Sequence, residues 1–287
     1  MSQADPVHEE GLSARDFARL RELIYAETGI CLSPEKKTML EVRIRRRLRA
    51  LSCSSYASYC DRLFRNGNAH EEIVHFIDVV TTNKTDFFRE PAHFKFLEEK
   101  GLDELSARCR GMRPLFIWSA GCSSGEEPYT LAMLLSEYAA KQPGFSFNIL
   151  ATDISTTVLE KAVNGIYPGS VIEPVPIAMR RKYLMRSRNP ESDEIRIIPA
   201  LRRMVDFRRL NFMDDEYGLR ERADVIFCRN VLIYFDRPTQ ERILMKLTRY
   251  LLPHGYLFVG HSESLHDMNL PLVPVAPALY RKISDGS

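Results

Sequence analysis

Paired cysteines are missing. The six that exist (Cys31, Cys53, Cys60, Cys109, Cys122 and Cys228) form no CxxC pair and have no histidines at matching spacing. That argues against a zinc site or a disulfide framework and for reduced thiols in the cytoplasm. Long apolar runs are missing too: no stretch approaches the roughly 18 residues that a membrane span needs. Met1–Gly11 is acidic and polar, so it reads as neither signal peptide nor anchor. An excess of either charge is also lacking, since the net charge is only +2 over 287 residues. What matters is where the charge sits.

What is present is ordinary for a folded chain: 45% hydrophobic and 27% charged residues. The length favours two domains. The first ninety or so residues read as helices only. Ser13–Tyr25 puts Phe17, Leu20, Leu23 and Ile24 on one face, and a second helix opens at Pro34 with the stripe Leu40, Ile44, Leu48 and Leu51. Ser54–Leu63 and Glu71–Val80 follow, around the turn Asn66-Gly67-Asn68. From Leu115 strands alternate with helices. Strand candidates are Leu115–Ala120, Phe147–Thr152, Val205–Leu210, Asp224–Cys228 and Tyr256–Gly260, with helices at Pro128–Ala140, Thr156–Val163 and Thr239–Leu251. That alternation predicts an α/β domain with a parallel sheet covered on both faces. Leu272–Val275 and Ala278–Ile283, separated by two residues, can only pair antiparallel, which makes seven strands in all. Gly165–Met204 interrupts the alternation with five prolines, a basic helix near Ile177–Leu184 and a hairpin around Arg188–Glu194, and reads as an inserted subdomain.

The sharpest local feature is Ser119-Ala120-Gly121-Cys122-Ser123-Ser124-Gly125-Glu126-Glu127-Pro128, between a strand and a helix. A P-loop needs Lys and Ser/Thr after the last glycine, and two glutamates stand there instead. A pyrophosphate would meet those carboxylates where it needs positive potential. A ligand carrying an ammonium and a sulfonium would welcome them, while the plainer reading is that they complement the helix dipole. Gly121-Cys122-Ser123-Ser124-Gly125 also spells a hydrolase nucleophile elbow with Ser123 as nucleophile, but no strands precede Leu115 to supply an oxyanion hole. Asp153 ends the second strand, where an acid either accepts from ribose hydroxyls or caps the next helix. Asn211 and Arg229-Asn230 repeat the pattern after the third and fourth strands. Several such residues along one sheet edge mean a site.

Four segments then carry a resemblance. Asn83-Lys84-Thr85-Asp86-Phe87-Phe88-Arg89, Ser123-Ser124-Gly125-Glu126-Glu127-Pro128-Tyr129, Ala151-Thr152-Asp153-Ile154 and Phe227-Cys228-Arg229-Asn230-Val231-Leu232-Ile233-Tyr234-Phe235 resemble, in order and spacing, the signatures of the CheR-type chemotaxis receptor methyltransferases. The resemblance implies a helical domain over 1–88, then a Rossmann-like methyltransferase domain over 89–287 with an inserted β subdomain at 165–204. It implies S-adenosylmethionine contacts at Asn83, Thr85, Arg89, Glu126, Asp153, Asn211, Phe212, Asn230 and Val231, with Arg89 and Tyr234 nearest the chemistry. The implied product is a glutamate methyl ester on a receptor, made without a metal, in the cytoplasm. Members that dock a receptor's C-terminal peptide carry a glycine-rich hairpin in the insertion. Here that stretch is Ser187-Arg188-Asn189-Pro190-Glu191-Ser192-Asp193, a departure that counts against docking.

Lys36–Arg49 holds seven basic residues against the single acid Glu41. Such a run is commonly a solvated face. A single-stranded nucleic-acid patch would interleave aromatics, which are absent. An acidic receptor helix is the better partner, and Arg43, Arg46 and Arg47 are expected on the solvent side to bind it. Two rivals remain: a noncatalytic adaptor of the same fold, and the serine hydrolase.

Overall fold

The computed structural model describes residues 11–64, 69–109 and 112–284; most of the acidic N-terminal segment and the turn Asn66-Gly67-Asn68 lie outside the described residues. Helices α1 (Ala14–Thr28), α2 (Lys37–Ala50), α3 (Tyr56–Phe64) and α4 (Ala69–Val80) form the first unit. Ser13 starts α1 by accepting from the Asp16 N–H, and Gly29 stops it in a left-handed conformation at φ 72°. The predicted stripes meet in one core: Phe17, Leu20 and Ile24 from α1 pack with Leu40, Ile44 and Leu48 from α2 and with Tyr59, Leu63 and Phe76.

One expectation about α2 needs correction. Of its three singled-out arginines only Arg46 is exposed. Arg43 and Arg47 sit three residues beyond Leu40 and Ile44, which puts them on the flank of the core stripe facing α4. Arg43 donates to the carbonyls of Val80 and Thr81 and to Thr82 Oγ1, and Arg47 forms a forked pair with Glu72 at 3.0 and 2.5 Å.

Between the units lies a helical stretch that the sequence reading left without assignment: α5 (Pro91–Phe96), a π-helical turn Leu97–Gly101, and α6 (Leu102–Cys109). The buried residues Phe94, Leu97, Leu102 and Leu105 include a five-residue step that a regular α-helix would rotate away from the sheet. The i→i+5 bonding of the π turn, where Leu102 N–H donates to Leu97 O, returns Leu102 to the covered face.

The sheet contains β1 (Leu115–Ala120), β2 (Phe147–Asp153), β6 (Val205–Arg209), β7 (Ala223–Cys228), β8 (Leu251–Val259), β9 (Leu272–Ala276) and β10 (Leu279–Lys282), in the order β6-β2-β1-β7-β8-β10-β9. The first five are parallel and the last two pairings antiparallel, as the short link requires. Alternate residues face opposite layers. Ile117, Ile149, Val225 and Phe258 pack beneath α5, α6 and α7 (Glu126–Ala139), while Trp118, Leu150, Ile226 and Leu257 pack against the helix that follows β7. Helix α8 (Thr156–Asn164) follows β2, and the insertion then adds β3 (Ile166–Tyr167), α9 (Ile177–Tyr183), β4 (Leu184–Arg186), β5 (Ile195–Ile197) and α10 (Pro199–Arg202). Its strands form a separate antiparallel sheet, β3-β5-β4, and the predicted hairpin residues Arg188–Glu194 make the turn rather than the arms. Helix α11 (Arg237–Arg249) completes the set.

At the bottom of the sheet Asp224 is fully buried; Arg113 donates to its two oxygens at 2.6 and 2.7 Å and the Phe116 N–H donates at 3.0 Å. Removing the guanidinium leaves a buried carboxylate short of partners. Arg113→Ala is expected to lower unfolding free energy in urea by about 2–4 kcal/mol. A loss under about 0.5 kcal/mol, the level of an ordinary surface substitution, would mean that solvent reaches Asp224.

Candidate functional site

The parallel strands end together, and β1 is flanked by β2 on one side and β7 on the other, so their following loops diverge and leave a crevice. A partly open cleft enclosing about 920 Å3 lies there. Its walls come from the linker Thr81–Asp86 with Arg89, from Gly121, Ser123 and Glu127 after β1, and from Thr152, Asp153 and Ile154 at the end of β2. Leu210, Asn211 and Phe212 after β6, Arg229 to Val231 after β7, and Tyr234 and Phe235 complete it, and Thr28 and Ile30 arrive from the end of α1.

The turn after β1 is shaped by backbone. Gly121 and Cys122 both donate to Thr152 O, at 2.7 and 2.9 Å, which sews the turn to β2. Gly121 has φ 85°, and a Cβ there would come within 2.5 Å of Val231 Cγ2, so only glycine lets the two loops close on each other. Asp153 lies on the cleft floor, where its carboxylate accepts from the N–H groups of Ser123 (2.8 Å) and Ser155 (3.0 Å). Burial raises its pKa, and those backbone donors work in the opposite direction. Each oxygen retains a lone pair for a hydroxyl donor.

The adjacent glutamates separate. Glu126 is buried with its carboxylate on Ser124 Oγ and does not line the cleft; Glu127 does. Glu127 accepts from Ser119 Oγ at 2.7 Å and from Arg229 at 3.2 Å. Burial raises the pKa of both acids, Glu126 to about 7. Asn83, Thr85, Arg89, Asp153, Asn211, Phe212, Asn230, Val231 and Tyr234 all line the one cleft. The sequence pointed to Glu126, whereas the glutamate exposed on the wall itself is Glu127; helix periodicity cannot say which of two consecutive residues at a first turn looks out.

At the mouth, burial raises the pKa of the Tyr234 phenol, while the guanidinium groups of Arg89 and Arg43 lower it; the net shift is upward, so the hydroxyl stays protonated. Glu90 and Glu263 were missed. Glu90 accepts from the Asn230 side chain at 3.1 Å and lies 3.3 Å from Arg229; Glu263 accepts from backbone N–H groups around Asn230. Glu263 lies in the loop after β8, and a search that extended past the strand ends would have found it. Glu90, His93 and His261 bring one ligand atom each within 4.8 Å and are the residues that could hold a metal among those described. The Arg229 guanidinium beside the same Glu90 oxygen opposes a cation there. Ser123, the hydrolase candidate, donates its hydroxyl to Asn83 O at 2.9 Å, and no histidine lines the cleft among the described residues.

Family matches over this fold and cleft define the class: an S-adenosylmethionine-dependent methyltransferase. Residues 15–81 match the CheR methyltransferase all-alpha domain and residues 83–276 the CheR methyltransferase SAM-binding domain, and the chain belongs to the CheR methyltransferase family. It is 40% identical to the chemotaxis protein methyltransferase of Borreliella burgdorferi over 93% of this chain and 94% of that one. It is 39% identical to that of Salmonella typhimurium (90% and 86%) and 40% identical to that of Escherichia coli (88% and 85%). The cleft fits the group the family binds: a buried carboxylate with free lone pairs for ribose hydroxyls, apolar walls at Ile154 and Phe212, and Glu127 for an ammonium.

The raised Glu126 pKa has a sign. An acid raised from 4.5 to about 7 holds its proton longer when folded, so its contribution is fully present below pH 4.5 and is lost as pH rises through 7. Glu126→Gln is therefore expected to gain stability relative to the parent by about 2–3 kcal/mol between pH 4.5 and pH 8 in urea melts. A constant difference across that range would show that Glu126 titrates normally.

Proposed function

We propose that this protein methylates glutamate side chains of chemotaxis-type receptors in the cytoplasm, using S-adenosylmethionine and releasing S-adenosylhomocysteine. The observation that carries the reading is that Asn83, Arg89, Asp153, Asn211, Asn230 and Tyr234, drawn from separate segments of the chain, line one cleft. The relatives' shared name, chemotaxis protein methyltransferase, supports the substrate class. When bound, S-adenosylmethionine supplies an electrophilic methyl whose bond to sulfur breaks as its bond to a carboxylate oxygen forms, leaving a thioether and a γ-methyl ester.

The protein's own share is positioning. A glutamate of pKa about 4.3 is already anionic at neutral pH, so no general base is needed. Arg89 and Arg43 favour the carboxylate without protonating it, and the Tyr234 hydroxyl donates to one oxygen so that the other faces the methyl. Asp153 and Asn211 hold ribose, Phe212 flanks the base, and Glu127, with Glu126 behind it, favours the ammonium end. Asn83, Thr85, Asn230 and Val231 close the walls. Enclosure keeps water from between nucleophile and methyl, and alignment supplies most of the rate.

The exposed arginines Arg46 and Arg49 give α2 a positive face, suited to an acidic receptor helix. Arg43 and Arg47 serve the bundle as well, so the clean test reverses only the exposed pair. Arg46→Glu with Arg49→Glu is expected to cut receptor methylation about tenfold at low salt with S-adenosylhomocysteine affinity unchanged, and added salt should bring the parent toward the variant. Equal rates at low salt would move recognition elsewhere, most directly to the insertion at 165–204. The ester assignment is tested by chemistry: methyl label transferred to a receptor fragment should leave as methanol in mild alkali. Label that survives would mean methylation at nitrogen.

A further inference from the structure

The segment Asn230–Tyr234 carries two cofactor contacts and the phenol at the mouth, yet it is a loop with little regular structure of its own. Asn230 stands in the left-handed region at φ 57°, and Leu232–Tyr234 is a single 3-10 turn. Gln240 donates to the carbonyls of Leu232 and Phe235, and one carboxylate takes three of the segment's N–H groups. Glu263, 7% exposed, accepts from the N–H groups of Asn230 at 2.9 Å and of Gly260 through Oε2. Through Oε1 it accepts from Leu232 at 2.7 Å and Ile233 at 3.4 Å. Its own N–H donates to Gly260 O at 2.9 Å, which fixes the acid to the end of β8.

We propose that Glu263 is a positioning residue for methyl transfer, setting Asn230, Val231 and Tyr234 in register with the cofactor cleft. The inference rests on the reading that the cleft takes S-adenosylmethionine. A neutral acceptor could not do the same work. An ionised carboxylate offers acceptor sites on both oxygens, whereas an amide in its place turns an NH2 toward two N–H donors. Bonds to an ionised acceptor are also about twice as strong as neutral ones, enough to hold a non-glycine residue at positive φ. The side-chain end of Asn230 is anchored separately on Glu90, so the residue is gripped at both ends by acids. Val231 is then pressed against Gly121, and Tyr234 is set with its carbonyl accepting from Cys31 N–H at 2.8 Å.

The test uses two variants that disturb the clamp differently. Glu263→Gln removes the charge. Gly260→Ala keeps the charge but adds a Cβ that would lie 2.5 Å from Asn230 Nδ2 and 2.9 Å from Glu263 Oε2. In both, S-adenosylhomocysteine affinity by calorimetry is expected to fall about ten- to a hundredfold, with kcat falling at least as far and KM for a receptor fragment unchanged. A merely structural role would lower the melting temperature without that split. Amide proton resonances of Asn230, Leu232 and Gly260, shifted downfield by the carboxylate in the parent, should move upfield in Glu263→Gln whether or not ligand is added. If Glu263→Gln fails to fold, Gly260→Ala decides. Parent-like affinity and kcat in a folded variant overturn the proposal. A parent protein that binds no S-adenosylhomocysteine while its amides show the clamp would instead sink the cofactor reading.

Discussion

A guanidinium 2% exposed in the middle of an α/β fold must be neutralised by carboxylates, and Arg229 is neutralised by two from different parts of the chain. Glu127 reaches it from the first turn of α7 at 3.2 Å and Glu90 from the linker at 3.3 Å; Arg229 also donates to the Arg89 carbonyl. Its flat face lies over Phe94, 5.3 Å from the ring centre. The end of β7, the start of α7 and the linker are thereby tied at one point. Breaking a buried ion chain by removing one partner is costly, about 3–5 kcal/mol, because the remaining charge has no water to turn to. Glu90, next to Arg89 on the cleft wall, and Arg229, next to Asn230, are locked into this chain.

The same point concentrates unusual backbone. Phe88, Glu90, Ser123 and Asn230 all have φ between 49° and 57° without being glycine. Such residues are uncommon and cost on the order of 1–3 kcal/mol where the surroundings must hold them. Each is held here. Phe88 N–H donates to Thr130 Oγ1, Ser123 N–H to Asp153, and Asn230 N–H to Glu263, while Glu90 is fixed through its own carboxylate. Ser52, His254, Asp267 and Ala278 share the conformation away from the cleft.

The elements that were legible in the sequence are those with strong periodicity and simple contacts. The five parallel strands, the terminal antiparallel pair and the stripe Leu40, Ile44, Leu48 follow from apolar runs and from patterns of two and of three to four residues. The helices from Pro91 to Cys109 were not legible, since the π turn breaks the period on which such reading depends. At the site, residues at strand ends were singled out because open sheets bind ligands there, and they line one cleft; which of Glu126 and Glu127 lines it depends on a rotation that only tertiary packing fixes. Arg43 and Arg47 looked solvated because a basic side chain near a core stripe carries no mark of its partner. Glu72, which pairs with Arg47, lies 25 residues away in sequence.

The helical unit is part of the cleft and not merely attached to it. Asn211, a wall residue after β6, donates from its side chain to Glu27 O at 2.6 Å, so the end of α1 fixes its orientation. Ile30 forms an isolated antiparallel bridge with Phe235, and Tyr25 donates to Asp236, the cap of α11. On the far side Asp78 of α4 accepts from the N–H and hydroxyl of Thr156 at the first turn of α8, an acid placed where a helix dipole favours it. Thr28, Ile30 and Thr81–Asp86 therefore line the cleft only while these contacts hold. Ligand binding and docking of the helical unit draw on the same interactions, so whatever binds the cleft also stabilises the docked arrangement.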